Sequence, residues 1–238
     1  MSISVLFTLL SCTTEVKAPS CESTEDGACF KGVFRTLLGQ PVQDVKVCVL
    51  EDSEIPCVTS DESGQWKIPG LPLDSNIALT AEHSEYVSSL FGQHTSMAWY
   101  DWYKVGIPPN IMETNANQLD MNLSTEKGNV LFLTWEGLNV DGVDTDNIEG
   151  VTAEVDGGGQ LFYANGLGLA SKDATETSGS GSGGLLNIEP GEVAVKLSAQ
   201  AGVCAQEHMF HYAVESEWIA VPVRAGFTTA IDVICPVD

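Results

Sequence analysis

Positive charge is scarce in this sequence. Of 238 residues only 10 are Lys or Arg, against 33 Asp or Glu, for a net charge of -23. Such a field repels phosphate backbones and anionic headgroups, which excludes nucleic acid as a partner. Long apolar runs are missing as well: none reaches the roughly 18 residues that a membrane-spanning helix needs. No nucleophile elbow, HExxH helix, phosphate loop or dinucleotide fingerprint occurs. None of the seven cysteines forms a CxxC pair, which removes the common zinc and redox motifs. Sustained 3.6-residue periodicity is absent too, so no amphipathic helix is predicted.

What remains is core material, 43% hydrophobic, arranged with period two. Val45-Lys46-Val47-Cys48-Val49 alternates cleanly, as do Glu192 to Leu197 and Trp218 to Val223. Such short runs recur between Gly, Pro, Asp and Asn clusters, a pattern that predicts an all-β sandwich or barrel. Two segments of the first half have counterparts in the second. Gly39-Gln40-Pro41-Val42-Gln43-Asp44-Val45-Lys46-Val47 parallels Asp146 to Val155, aligning Val45 with Val151. Thr59 to Pro72 parallels a stretch from Thr177 to Gly191, aligning Thr59 with Thr177 and requiring a 12-residue insertion in the second copy. In the first copy Asp61-Glu62-Ser63-Gly64 reads as a tight turn, Trp66 and Ile68 return with period two, and Pro69-Gly70 is expected to stop the strand. Thr175 to Gly184, rich in Ser and Gly, reads as a flexible loop.

The order Gly-x-Pro-Val-x-x-Val-x-Val, then Thr-x-Asp-x-x-Gly-x-Trp-x-Ile-x-Gly-Leu-Pro, resembles the carboxypeptidase regulatory-like domain. The first half carries it from Gly32 to about Val87; the second, where Ser and Gly replace the turn Asp, carries it from about Gly128 to Ala199. The resemblance implies two tandem transthyretin-like or Ig-like (starch-binding-like) sandwiches, accessory rather than catalytic. The expected organisation is a signal segment at 1–11, a tether at 12–28, one sandwich at 29–123 and a more divergent one at 127–238. The boundary falls at Ser124 to Gly128.

Near the start, apolar Ile3 to Leu10 is followed at once by Ser11-Cys12, and Leu9-Leu10-Ser11-Cys12 resembles a bacterial lipoprotein lipobox with Cys12 as the lipidated residue. No basic residue precedes the apolar run, so the natural start is expected upstream. Polar Thr13 to Ala28 suits a tether. Thr13 after the lipid Cys, in place of Asp, favours the outer membrane by the same resemblance. Setting Cys12 aside leaves six cysteines, enough for three disulfides in an oxidising compartment, with 15 possible connectivities. A hairpin that sets Val47 opposite Val58 sets Cys48 opposite Cys57. Cys204 with Cys235 ties the last strands, worth about 3–4 kcal/mol by loop entropy. Cys21 with Cys29 follows by elimination.

Candidate ligand sites are few. His208 and His211 form an HxxH beside Cys204, but in a strand they face opposite ways. The acidic loop Asp141 to Glu149 offers Asp141, Asp144 and Asp146 as a calcium candidate, without the EF-hand spacing. Trp99-Tyr100-Asp101-Trp102-Tyr103 is the densest aromatic cluster. On an extended segment Tyr100 and Trp102 share one face about 7 Å apart, and Trp99, Asp101 and Tyr103 share the other. Either face can stack a sugar ring or pack into a core. No catalytic residue and no cofactor is assigned. The reading is a non-enzymatic envelope lipoprotein acting as a binding or scaffold module on an envelope protein or glycan. The alternatives are a carbohydrate-binding protein and an accessory subunit of an envelope hydrolase.

Overall fold

The computed structural model describes residues 27–36, 38–50, 52–95, 101–107, 109–136, 146–206 and 217–237. Seven strands build the first half: β1 (Ala28–Thr36), β2 (Lys46–Val49), β3 (Val58–Thr59), β4 (Gln65–Leu71), β5 (Asn76–His83), β6 (Tyr86–His94) and β7 (Asp101–Gly106). They lie in two layers, β4-β1-β7 and β6-β5-β2-β3. Val45, Val47 and Val49 alternate into the space between them, as do Trp66 and Ile68. Phe34 stacks on Trp66 at 5.9 Å, and both meet Phe91 edge-on at 6.4 and 6.0 Å. The rings come from both layers, which is what closes a sandwich.

A helix follows, α1 (Pro109–Gln118), where the sequence pattern predicts none. Pro109 is suited to the first helical turn, since it has no N–H to leave unpaired. Met112, Asn115 and Ala116, three and four residues apart, are the buried face. That stripe is too short and too polar to register as periodicity, and packing supplies the rest. Asp120 takes a left-handed φ of 55°, and the Met121 N–H donates to Ala116 O at 2.9 Å, closing the helix end.

The second half runs β8 (Gly128–Trp135), β9 (Thr152–Asp156), β10 (Gln160–Ala164), β11 (Ala170–Ser171), β12 (Ser182–Ile188), β13 (Gly191–Ala199), β14 (Gly202–Val203), β15 (Ala205–Gln206), β16 (Ile219–Val223) and β17 (Thr228–Ile234). It repeats the ladder of the first half residue for residue. Val33↔Gln65, Gly32↔Trp66 and Phe30↔Ile68 on β1–β4 become Leu133↔Ser182, Phe132↔Gly183 and Val130↔Leu185 on β8–β12. Parallel Gly32↔Trp102 on β1–β7 becomes Phe132↔Ile231 on β8–β17. Val47↔Ala81 becomes Ala153↔Leu197, and Leu79↔Phe91 becomes Val195↔Ile219.

A buried hydroxyl marks the same place in each copy. Ser60 Oγ donates to Val42 O and accepts from the Val45 N–H, both at 2.9 Å. Thr177 Oγ1 donates to Ile148 O at 2.9 Å and accepts from the Val151 N–H at 3.0 Å. The main chains agree: the Ser60 N–H donates to Val45 O, and the Thr177 N–H to Val151 O. Thr177 therefore matches Ser60, one residue from the alignment with Thr59, and the second copy carries an insertion of 11 residues, not 12. Within that span lie β10 and β11, which cover the outer edge of β12.

Two local readings change for physical reasons. Thr175 to Gly184 is not a loose loop: its Gly181 matches Gly64, the left-handed corner of the Asp61 turn. Gly64 and Gly181 have φ of 75° and 58°, and a Cβ on them would fall 2.3 Å from Phe34 O and 2.7 Å from Thr134 O. Gly183 and Gly184 lie within β12, where a Cβ would meet the Phe132 ring at 2.4 Å and Val130 O at 2.3 Å. Glycine here is required by close approach, not by mobility. Pro69-Gly70 does not end β4, which continues to Leu71. The register shifts between Ala28 and Phe30 on the facing strand, so the pair marks a bulge, and Pro69 sits exposed on an outer strand that has no further partner in its sheet.

The two halves share one sheet. β17 lies parallel to β8 on one side and meets β6 on the other through Thr228↔Ser89 and Thr229↔Leu90. The order β11-β10-β12-β8-β17-β6-β5-β2-β3 is thus continuous, with β15 also on β17. Helix α1 covers part of its outer face: Met112 and Ala116 pack with Phe162, Ala170 and Leu186, and Val87 of β6 joins them. The Asn115 side chain accepts the Ala170 N–H at 3.0 Å.

The hydroxyl clamp gives a direct test. Thr177→Val keeps the side-chain shape but takes the acceptor from the Val151 N–H and leaves Ile148 O only the Thr134 hydroxyl. We expect a loss of about 1–3 kcal/mol, read as a lower urea midpoint with an unchanged m-value.

Candidate functional site

A cleft of about 540 Å³ opens between α1 and the shared sheet, at the junction of the two halves. Its helix side presents Met112, Glu113 and Asn117; its sheet side presents Ser88 and Asn129; Asn122 and Lys127 belong to the connection between them. Asn187 fixes that connection. With a left-handed φ of 58°, it donates from Nδ2 to Asn122 O at 2.8 Å and accepts the Ser124 N–H on Oδ1 at 2.9 Å. Its own N–H donates to Asn129 Oδ1 at 3.1 Å. Lys127 pairs with Glu189 at 2.7 Å. The cleft is half open to solvent, and its lining mixes apolar side chains with the amides and hydroxyls of Asn117, Asn122, Asn129, Ser88 and Ser124. Sequence reasoning missed this cleft because it is assembled by α1, which the pattern did not reveal.

The residues singled out from sequence are distributed as follows. Trp99 and Tyr100 lie outside the described residues. Asp101, Trp102 and Tyr103 open β7, in register with Lys31, Gly32 and Val33. By the repeat, Trp102 holds the register position of Ile231, and Tyr103 that of Asp232. Cys12, Cys21, His208, His211, Asp141 and Asp144 lie outside the described residues. Asp146 is exposed, and its main-chain oxygen accepts the Glu136 N–H at 3.1 Å. Among the described residues no group of three His, Cys, Asp or Glu could hold a metal.

Cys48 and Cys57 are bonded, with Cα atoms 4.3 Å apart, and Val47 does face Val58. Cys204 and Cys235 are bonded with Cα atoms 4.1 Å apart, which removes Cys204 as a metal ligand for the HxxH. Cys29 is also disulfide-bonded; its expected partner, Cys21, falls outside the description. No helix among the described residues is long and apolar enough to cross a membrane.

The fold and cleft define a class: a tandem all-β sandwich protein whose two halves share a sheet. No family model matches the chain, and no curated protein does. The carboxypeptidase regulatory-like resemblance therefore rests on its motif residues alone. Among solved structures, a minor pilin of Streptococcus agalactiae is 17% identical, over 88% of this chain and 96% of that one, with a TM-score of 0.27. A streptococcal ancillary pilin is 13% identical over 87% and 69%, and the D0-D1 domain of intimin 13% identical over 87% and 93%, each with a TM-score of 0.24. Those scores are too low to carry any fold detail, ligand or assembly over to this chain.

Among the described residues, two titratable groups depart from their ordinary behaviour. Burial pushes the Tyr163 phenol above its usual value of 10.0, against the opposing hydrogen bond from the Ala153 N–H and with a small push from Glu176; that hydrogen bond to Tyr163 Oη is 2.7 Å long. The ammonium of Lys196 is raised above 10.5, first by its hydrogen bond to Glu217, against desolvation, and then by the charges of Glu217 and Glu154. Both groups are protonated more readily in the folded state. Their stabilisation is complete below the unfolded pKa and is lost as pH rises through the folded one. We expect these groups to lower melting temperature as pH rises above about 10, chiefly through Tyr163, because solvent screens the Lys196–Glu217 pair. Tyr163→Phe should flatten that alkaline limb in a pH series of thermal melts.

Proposed function

We propose that the chain is a non-enzymatic scaffold or binding module of the cell envelope, lipidated on Cys12 and held off the membrane by the tether at 12–28. The observation that carries it is the continuous sheet through β17 and β6. Two independent sandwiches on a linker would swing freely, whereas a shared sheet fixes their relation. Sandwiches at 29–123 and 127–238 then act as one stiff body, and strong negative charge keeps it soluble and away from anionic surfaces. The Cys48–Cys57 and Cys204–Cys235 disulfides suit an oxidising compartment. Mass spectrometry of the mature N-terminus, on protein expressed from its native start, should find acyl mass on Cys12. An unmodified Cys12 removes the anchored reading.

A second reading, carbohydrate binding, is favoured by the amide-lined cleft beside α1. Its occupant would be a neutral glycan, met by Asn117, Asn122 and Asn129. The aromatic cluster at Trp99 to Tyr103 is the competing platform. A glycan array on the soluble body distinguishes them. We expect a signal that Asn117→Ala weakens if the cleft binds, and that Tyr103→Ala weakens if the cluster does. Absence of any signal removes the carbohydrate reading.

A further inference from the structure

We propose that the strand order turns tension applied between the two ends of the chain into shear in both sandwiches. The biological sense of this rests on the scaffold reading; the mechanics rest on the ladder.

In the first half the first and last strands are parallel neighbours. β1 and β7 pair from Lys31↔Asp101 to Thr36↔Gly106. In the second half β8 and β17 pair the same way, from Asn129↔Thr228 to Trp135↔Ile234. Tension that enters ahead of β1 and leaves after β7 pulls two parallel strands lengthwise in opposite directions. Every hydrogen bond between them is loaded together, so the ladder must fail as a unit. Tension passing on through α1 loads β8 and β17 identically. An antiparallel pair pulled from one end opens a bond at a time, and offers far less resistance. Forced unfolding is governed by the barrier to rupture, so this geometry matters more than overall stability.

The second sandwich adds a covalent brace at the exit. Cys235 directly follows β17, and its N–H donates to Trp135 O at 2.9 Å. Its sulfur is bonded to Cys204, whose N–H donates to Leu197 O on β13 at 2.8 Å. β17 therefore cannot slide past β8 without also pulling on β13 in the opposite layer. After rupture the loop closed by this disulfide, with a sequence separation of 31, stays out of the load path.

Single-molecule pulling of the oxidised chain tests this with two attachment geometries. In the first, handles sit ahead of β1 and after Val237. In the second, the N-terminal handle stays and the other moves to Leu73→Cys, an exposed position (48%) just past β4. β1 and β4 are antiparallel, with Ala28↔Leu71 at the loaded end, so this geometry unzips. We expect rupture forces several-fold higher end to end than in the unzipping geometry. Equal forces overturn the proposal. Reductant should lengthen the second-sandwich event by about 110 Å, at ~3.6 Å per residue. An unchanged length overturns the brace. Neither force depends on lipidation, so a chain with an unmodified Cys12 could fail the anchored reading and still pass here.

Discussion

A hydroxyl buried among apolar groups must both give and receive a hydrogen bond, and the chain uses that requirement to join its layers. Ser60 and Thr177 each sit after a crossing between sheets, almost wholly enclosed. Each accepts the N–H of a residue leading into the next strand and donates to a carbonyl three residues earlier. The neighbouring carbonyls are bound in turn: Val42 donates to Phe34 O and Ile148 to Thr134 O, while Phe34 and Thr134 donate to Gly64 O and Gly181 O. A first sheet, a crossing segment and a second sheet are thereby fixed through one side chain. Without that hydroxyl, main-chain groups would be buried without partners, which costs more than the bonds themselves contribute.

Around this constant frame the packing is free to differ, and it does so by exchange. In the first half Gly32 faces Trp66 across β1 and β4; in the second Phe132 faces Gly183 across β8 and β12. The large ring has moved from one strand to its neighbour, and the glycine has moved with it. One aromatic ring and one glycine are kept across the pair with their positions exchanged, which is how cores tolerate substitution. Thr134 replaces Phe34, spending its hydroxyl on Ile148 O and Gly181 O. The space lost to aromatics there is partly regained outside the sandwich, where Phe162 and Leu186 pack under α1.

Much of this was legible in sequence because it follows from alternation. Val45, Val47, Val49, Trp66 and Ile68 announce their faces, and the Val47–Val58 register positions Cys48 against Cys57. The repeat was visible too, though its second half was misaligned by one residue. Thr59 and Thr177 match by letter, while Ser60 and Thr177 match by hydrogen bonding, which sequence identity does not report. The glycines of β12 looked like part of a flexible loop because composition cannot distinguish a residue chosen for freedom from one chosen for lack of volume. The cleft was illegible for a further reason: it depends on α1, whose buried face is three residues long and includes Asn115.

Two ladders with one register in a single chain also pose a problem of recognition during folding. β17 fits the parallel site on β8, but the same backbone pattern exists on β1, where β7 belongs. Tandem repeats that are too alike exchange such strands and become trapped. Here the exchanged rings work against it, because Ile231 is buried beside Phe132 on β8, and β1 offers only Gly32 at that register position. The divergence between the halves thus acts as an address. β17 finds on β8 a ring that β1 does not offer.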